Sequence, residues 1–367
     1  MAVAEMIPLG RRMTVPHVAE RLRAEIIRQR LAPGTPIHSN RKICELFGVS
    51  PMTAMRAVNR LVADGLLHRV KGSGTYVGAA ASTSNTKRIG VVFSLPSTGE
   101  SKEIEAAYGV LRDAVVERLR GGGAEVSYLS FGDLRMPTVA PKVLERLDAA
   151  VVSCSCVDTD TIRQFDAWGK PVVLVQLDEA RDLAYHQVVP DLFHGFSEAA
   201  GLLRSAGAKR VMVLDNGSRT HRSRIDAFLR AAAAAGLSVS GIETVRLRDE
   251  IGDIGRMAGH KAGLEILGGK KVDAVFSPSD FVSFGFVDAC REKGVEPGKD
   301  LLLVSYDDLE GEGLLPFGEP MLTTVANPRR EIGRLAADLV RSDDLTHETN
   351  VSRILRVKTN LVRRKTA

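Results

Sequence analysis

Two regions hold residues whose types and spacing suit chemistry. The first is Pro51–Asp64. At about 100° per residue, Ala54, Ala57, Val58, Leu61 and Val62 fall on one side of a helix there. Met52, Thr53, Arg56, Asn59 and Arg60 fall on the other. A small apolar side packs, and the opposite side offers hydrogen-bonding and cationic groups to a nucleic-acid groove. Arg56 suits a guanine or a phosphate, and Thr53 a phosphate or a thymine methyl. A solvated helix face would explain Asn59 and Arg60 as well. The second region is the set of polar stretches that follow apolar runs: Ser94–Ser101, Ser153–Thr159, Gln176–Asp178, Asp215–Arg224, Ser277–Asp280 and Ser305–Asp308. Their hydroxyls, carboxylates and guanidiniums suit a polar small molecule. Caps and turns use the same residue types.

Catalytic and metal chemistry have little support. GLEILGGKK (263–271) is out of register for a phosphate-binding loop, and GFSEA (195–199) lacks the closing glycine of a nucleophile elbow. The histidines show no ligand-type spacing; His186 and His194 are isolated. Cys44, Cys154, Cys156 and Cys290 are too few for a disulfide framework, and the Cys154/Cys156 pair reads as small buried strand residues rather than metal ligands. The reading is therefore not an enzyme, with no cofactor.

At about 150 residues per domain, 367 residues imply two or three domains. A composition of 44% hydrophobic and 26% charged residues excludes a collagenous or wholly disordered chain. The net charge of +5 is unevenly spread. Residues 1–87 hold 13 Lys+Arg against 5 Asp+Glu, and residues 88–367 hold 37 against 40. A head of +8 on a body of −3 points to a polyanion partner for the head. No apolar run is long enough to span a membrane and no secretion signal is visible, so a reduced cytoplasmic protein is expected.

The elements that must position these residues follow from periodicity and punctuation. VPHVAERLRAEIIRQR (15–30) repeats apolar positions at Val18, Leu22 and Ile26, which predicts an amphipathic helix. Ser39 caps a second helix, Asn40–Phe47, ended by Gly48; Ser50 caps the third, which has Pro51 at its first position. Two short helices joined by Gly-Val-Ser form a helix-turn-helix. LLHRVKGSGTYV (66–77) reads as a β wing, with Arg69, Lys71 and Gly72 placed to approach a sugar-phosphate backbone. AAASTSNTK (79–87) has no hydrophobic period and reads as a linker.

After it, apolar strands alternate with helices. Strands are expected at Ile89–Ser94, Glu125–Leu129, Ala149–Ser153, Val172–Leu177, Val211–Asp215, Ile242–Leu247, Ala274–Ser277 and Leu301–Ser305. Helices are expected at Ile104–Arg120, Leu192–Ser205, Arg224–Ala235, Arg256–Leu267 and Val282–Lys293. That pattern predicts parallel sheets covered on both faces. The strands divide into two sets of four across the link Asp178–Asp191, giving two similar α/β lobes in tandem. In such sheets ligands bind beyond the carboxyl ends of the strands.

The stretch PGTPIHSNRKICELFGVSPMTAMRAVNRLVADGLLHRVKGSGTYV resembles the winged-helix head of the GntR family, over about 65 residues. The resemblance implies DNA binding through Arg41, Ser50, Thr53 and Gly72, joined by Met52, Arg56 and Lys71. Pro51 and Met55 stand where family members often carry arginine, and Arg56 or Arg60 would have to substitute.

Residues 88–367 resemble the LacI/GalR effector domain, a periplasmic-binding-protein-like fold. RIGVVFSLP, LDAAVVS, PVVLVQLDE, SRIDAF, VDAVFSPSD, LLLVSYDDLE and LTTVANPRREIG occur in the family's order. A GntR-type head on this body is similar to the arabinose-repressor arrangement. The implied fold is α/β: an N-terminal winged helix-turn-helix (1–78), the linker (79–87), and a two-lobed body of parallel sheets (88–367). Lobe one is expected at about 88–189 and 323–346, and lobe two at about 190–322 and 347–367.

By the resemblance, Arg224 donates to effector oxygens, Asp307 accepts from hydroxyls, and Ser279, Asp280, Gln176 and Asp178 complete the site. One cation among carboxylate acceptors is how a polyhydroxylated ligand is read. Helix or turn capping is the competing role for Asp280 and Asp308, and a surface ion pair for Arg224. Sugar binders also stack a ring on an aromatic. The matching region GDIGRM (252–257) has Ile254 instead, so a sugar would need Phe281, Phe317 or Trp168 in the cleft. The implied function is a dimeric, ligand-responsive regulator, a repressor, with operator DNA and a small-molecule effector such as a sugar as partners and no membrane. A solute-binding receptor, or a regulator whose body is only a dimerisation platform, are the alternatives.

Overall fold

The computed structural model describes residues 13–29, 31–70, 72–78, 87–93, 102–176, 178–247, 255–269, 271–342 and 352–367. Residues 79–86 of the expected linker, Lys71, Leu177, Ile254, Lys270 and residues 94–101 lie outside them. The chain divides into two compact units, one formed in the main by the chain up to Lys87, the other by the chain from Arg88 on.

The head holds α1 (Val15–Arg28), α2 (Asn40–Phe47), α3 (Pro51–Ala63) and a hairpin of β1 (Leu67–Val70) and β2 (Gly74–Val77). The expected punctuation is present in atomic detail. Ser39 Oγ accepts from Lys42 N at 3.3 Å, and Ser50 Oγ accepts from Thr53 N at 3.2 Å. Gly48 ends α2 at φ 61°, a left-handed conformation that a residue with a Cβ enters at a cost. Val18, Leu22 and Ile26 of α1 meet Ile43 of α2 and Ala54, Ala57, Val58 and Leu61 of α3 in one core. Arg23 pairs with Asp64, fastening α1 to the end of α3. The wing runs antiparallel from Leu67↔Val77 to Val70↔Gly74, and Gly72 takes φ 78° in its turn.

The body contains two six-stranded sheets. In the first, β3 (Arg88–Val92), β4 (Glu125–Tyr128), β5 (Ala149–Ser153), β6 (Val172–Val175), β7 (His186–Asp191) and β13 (Ile354–Lys358) lie in the order β4-β3-β5-β6-β7-β13. In the second, β8 (Val211–Asp215), β9 (Ile242–Arg246), β10 (Ala274–Phe276), β11 (Leu302–Asp307), β12 (Thr323–Ala326) and β14 (Asn360–Val362) lie in the order β9-β8-β10-β11-β12-β14. The two orders match position for position, so the lobes repeat one topology. Among the pairings described for the body, only β14 runs antiparallel, against β12.

Helices α4 (Lys102–Gly121) and α12 (Arg329–Arg341) belong with the first sheet's connections, as do the shorter α5 (Phe131–Arg135), α6 (Ala140–Leu144) and α7 (Thr159–Trp168); α12 packs on β5, β6 and β7. The second sheet is covered by α8 (Leu192–Ser205) paired with α9 (Arg219–Ala235), and α10 (Arg256–Gly269) paired with α11 (Asp280–Lys293). Phe228 and Phe276 stack at 3.9 Å under α8 and α9, with Phe196 edge-on to Phe276 at 5.2 Å.

The lobe boundaries differ from the sequence reading in three ways. The presumed link Asp178–Asp191 contains β7, which completes the lobe-one sheet. Thr323–Ala326, expected in lobe one, is a lobe-two strand, and Ile354–Lys358, expected in lobe two, is a lobe-one strand. The cause is that the chain crosses between lobes three times: after β7, after β12, and between β13 and β14. Thr359 sits at the last crossing, fully buried. Its Oγ1 donates to Asp191 O at 2.6 Å and accepts from Gly195 N at 3.0 Å, which binds two of the crossings to each other.

Candidate functional site

In the head, Ser50 and Thr53 hold the start of α3. Their hydroxyls are 2.9 Å apart, so both are engaged in the cap before any partner arrives. Met52, Arg56, Asn59 and Arg60 are exposed on the face opposite the core, as the angular reading expects. Arg41, in the first turn of α2, is 92% exposed and lies beside Glu45 at 3.4 Å. Gly72 has open space around it, leaving room for close approach. Lys71 lies outside the described residues.

In the body, Arg224 and Asp307 meet. Ser218 caps α9 and starts it five residues before the expected Arg224, which places Arg224 in the helix's second turn rather than in a loop. Its Nη1 donates to Pro278 O at 2.7 Å and to Asp307 Oδ2 at 3.3 Å. The guanidinium lies 4.3 Å from the centre of the Tyr306 ring. Asp307, at the carboxyl end of β11, has φ 129°, and Asp308 has φ 57°. Backbone of this kind costs about 1–3 kcal/mol and persists only where surrounding contacts hold it. Those contacts are present. Arg329 Nη2 donates to Asp307 Oδ1 at 2.7 Å, its Nη1 to Asp307 O at 2.8 Å, and Arg364 Nη2 to Asp308 Oδ1 at 2.6 Å. Since α12 packs on lobe one, Arg329 is a tie between lobes.

Asp178 is buried and faces the same charges. Burial raises its pKa, and Arg224, Arg219 and Arg181 oppose that rise, so a lobe-one carboxylate stands in the field of lobe-two guanidiniums. Ser279 is buried directly before α11. Arg224, Asp307, Asp178 and Ser279 are thus all buried polar residues near the ends of strands of the two sheets. Two of the expected contacts serve another role. Gln176 is 2% exposed, and its side-chain amide is hydrogen-bonded to that of Gln187 at 2.6 Å. Asp280 begins α11 rather than ending a loop, and is fully buried within its own lobe. Its Oδ1 accepts from Ser305 Oγ at 2.5 Å and Thr324 Oγ1 at 2.9 Å, and its Oδ2 from Leu309 N at 2.8 Å. Burial, then the nearby Asp307, push its pKa up to about 7. Asp280 braces the turn that carries Asp307, the capping alternative.

The aromatics considered for ring stacking pack elsewhere. Trp168, at the carboxyl end of α7, lines a surface groove of about 430 Å³ with Pro141, Leu144 and Lys170. Phe317 packs on Phe284 with Arg291 4.1 Å from its ring, and Phe281 meets Phe284 edge-on. The Tyr306 face is covered by Arg224.

Sequence reasoning did not name Arg329 or Arg181 and held His221 only within the stretch Asp215–Arg224, while Cys154, read as a buried strand residue, lies half-buried in the turn after β5. Arg181 Nη1 donates to Cys154 O and reaches Cys154 Sγ, both at 3.2 Å. His221, in the first turn of α9, is buried, and burial followed by the Arg224 charge lowers its pKa to about 3. Its place at the mouth of a strand-end loop was the available signal. Nothing in NPRREIG distinguishes buried Arg329 from exposed Arg330.

A winged helix on a two-lobed α/β body of matching parallel sheets defines the class, and comparison with known proteins agrees. Residues 14–77 match the bacterial regulatory proteins of the gntR family, and residues 200–367 match the periplasmic binding protein-like domain. The chain thus joins a gntR-type winged-helix domain to a periplasmic-binding-protein-like domain. The HTH-type transcriptional repressor PurR of Proteus mirabilis is 24% identical over 225 residues, 60% of this chain and 63% of the relative. The PurR repressor of Vibrio cholerae serotype O1 is 26% identical over 212 residues, 56% of this chain and 61% of the relative. The chain therefore spans less than two thirds of these curated relatives. Among solved structures, a LacI family transcriptional regulator from Enterococcus faecium with bound ribose superposes with TM-score 0.59 at 19% identity, over 76% of this chain and 98% of that one. A LacI family regulatory protein from Chloroflexus aggregans gives TM-score 0.61 at 19% identity, with the same coverage of both chains. These likenesses establish the fold of the body.

Proposed function

We propose that the protein is a ligand-responsive transcriptional regulator, acting as a repressor. Its head binds operator DNA as a dimer, and its body binds a small polar metabolite between the lobes. The observation that carries the reading is the presence in one chain of a capped recognition helix with an exposed cationic face and a cleft where Arg224 and Asp307 meet beneath a tie from Arg329. Closure on a ligand would rearrange that tie and so move one lobe against the other, which is how such bodies couple to their heads. Arg41, Ser50, Met52, Thr53, Arg56, Lys71 and Gly72 are the proposed DNA contacts. Arg224, Asp307, Asp178 and Ser279 are the proposed effector contacts, with Asp280 and Gln176 supporting them from behind. Relatives named as repressors, and a structural neighbour with bound ribose, support this reading.

The test is a gel shift on DNA upstream of the protein's own gene, followed by a thermal-shift screen with sugars, polyols and sugar acids. Folded dimer that binds no such fragment at low salt refutes the regulator. A stabilising compound whose effect Arg224→Ala abolishes supports the cleft; DNA binding with no such compound favours the platform alternative.

A further inference from the structure

The exposed side of α3 begins with an apolar group. Met52 is 53% exposed, whereas Val58 and Leu61 of the same helix are buried to 1% or less and Met55 and Val62 are partly buried. It stands on the face that also carries Arg56 and Asn59, one and two turns further on. Among the described residues Arg56 and Arg60 make no ion pair, whereas Arg23 and Arg41 are held by Asp64 and Glu45. Met52 and Arg56 therefore present a thioether and an uncommitted guanidinium side by side, on a head with 13 Lys+Arg against 5 Asp+Glu. That charge fits a nucleic acid. The apolar member of the pair selects which kind.

The major groove of B-DNA offers one apolar feature, the C5-methyl of thymine. Thr53 also carries a methyl, but it is only partly exposed and its hydroxyl is held by Ser50. Met52 has no such commitment. Its unbranched, polarisable side chain fills an irregular apolar gap at little strain, and its position in the first turn is where a recognition helix meets base edges. The opening Pro51 carries no hydrogen-bonding side chain. At about 1.5 Å of rise per residue, Met52 and Arg56 are roughly 6 Å apart along the helix, about two base steps.

We infer that Met52 is a specificity-determining residue that packs on a thymine methyl within about two base pairs of the base or phosphate held by Arg56. The inference rests on the regulatory reading of the head. It commits the partner to duplex DNA: A-form RNA has a major groove too deep and narrow for the helix, and uracil lacks the methyl.

The test uses the full chain and an operator duplex selected from random DNA. Each thymine is replaced in turn by deoxyuridine, which removes only the methyl. Wild type should lose about fourfold in affinity at one thymine per half-site, about 0.8 kcal/mol, the value of one buried methyl. Met52→Ala should bind the all-thymine operator more weakly and be indifferent to that substitution, and Met52→Leu should restore the sensitivity. Uniform tolerance of deoxyuridine by wild type, or equal sensitivity in Met52→Ala, overturns the inference while leaving DNA binding intact. Equal affinity for an RNA duplex of the same sequence also overturns it. If selection yields no preferred duplex, the regulatory reading itself fails, and this inference with it.

Discussion

Arg329, at the first position of a lobe-one helix, bonds both the carboxylate and the backbone carbonyl of Asp307 in lobe two, at 2.7 and 2.8 Å. Asp307 is thereby held between Arg329 and Arg224, all three being 6% exposed or less. A buried charge with two partners tolerates the loss of either one poorly, because the remaining group keeps its desolvation cost.

Arg329→Ala should therefore lower stability by about 3–5 kcal/mol, measured by urea denaturation. Arg329→Lys should fall between the two, since a lysine keeps the charge but cannot bond both Asp307 oxygens in one plane. A change below about 0.5 kcal/mol would show that the tie contributes nothing in solution.

Two buried groups should give the stability a divided pH dependence. Asp280 has its folded pKa raised to about 7, so the native state holds a proton that the unfolded chain has already lost. Its contribution is full below the ordinary carboxylate value near 3.8 and is lost as pH rises towards 7. His221 is lowered to about 3, so its contribution is present above 6.5 and is lost as pH falls. The two oppose each other between about pH 4 and 6.5. Asp280→Asn, which keeps the side-chain shape, should expose the His221 decline on acidification; His221→Asn should leave stability rising as pH falls from 7. Unfolding midpoints across pH 4–8 check both, and unchanged profiles would count against these assignments.

Helices α10 and α11 touch through glycines. A Cβ on Gly285 would lie 1.7 Å from Arg256 O, and one on Gly259 2.1 Å from Val282 O. Alanine in place of helical glycine normally gains about 1 kcal/mol, but here it meets backbone that must move. Gly285→Ala should therefore destabilise, by about 1–3 kcal/mol net, with a lowered thermal midpoint as the readout. A stabilised variant would mean that the helices separate freely.

Arg56→Ala should weaken operator binding. If Arg56 holds a phosphate, the slope of log affinity against log salt should flatten by roughly one unit for all sequences. If it reads a base, the slope should change little and discrimination should be lost at one operator position. A titration series from low to moderate salt separates the two, and no change in either quantity would remove Arg56 from the interface. The same series on Lys71→Ala tests the wing.

Much of this molecule is determined by local sequence. Ser39, Gly48, Ser50 and Pro51 set the ends of the head helices because caps act through groups a few residues away. The apolar period of α3 assigned its buried and exposed faces correctly, and Val211–Asp215 and Ala149–Ser153 were legible as uninterrupted apolar runs. The matching order of the two sheets agrees with the tandem-lobe pattern.

Tertiary structure decided what meets what. An apolar run specifies a strand but not its neighbour, so β13 and β14, separated by Thr359 alone, enter different sheets. Asp280 lies inside its lobe because α11 begins with it, two residues earlier than its hydrophobic pattern indicates. Arg329 and Arg330 are identical side chains at adjacent positions, one 4% exposed against Asp307 and the other exposed. Periodicity sorts residues onto faces, but which faces come together depends on long-range packing and chain crossings, and these bring Arg224, Asp307 and Arg329 together.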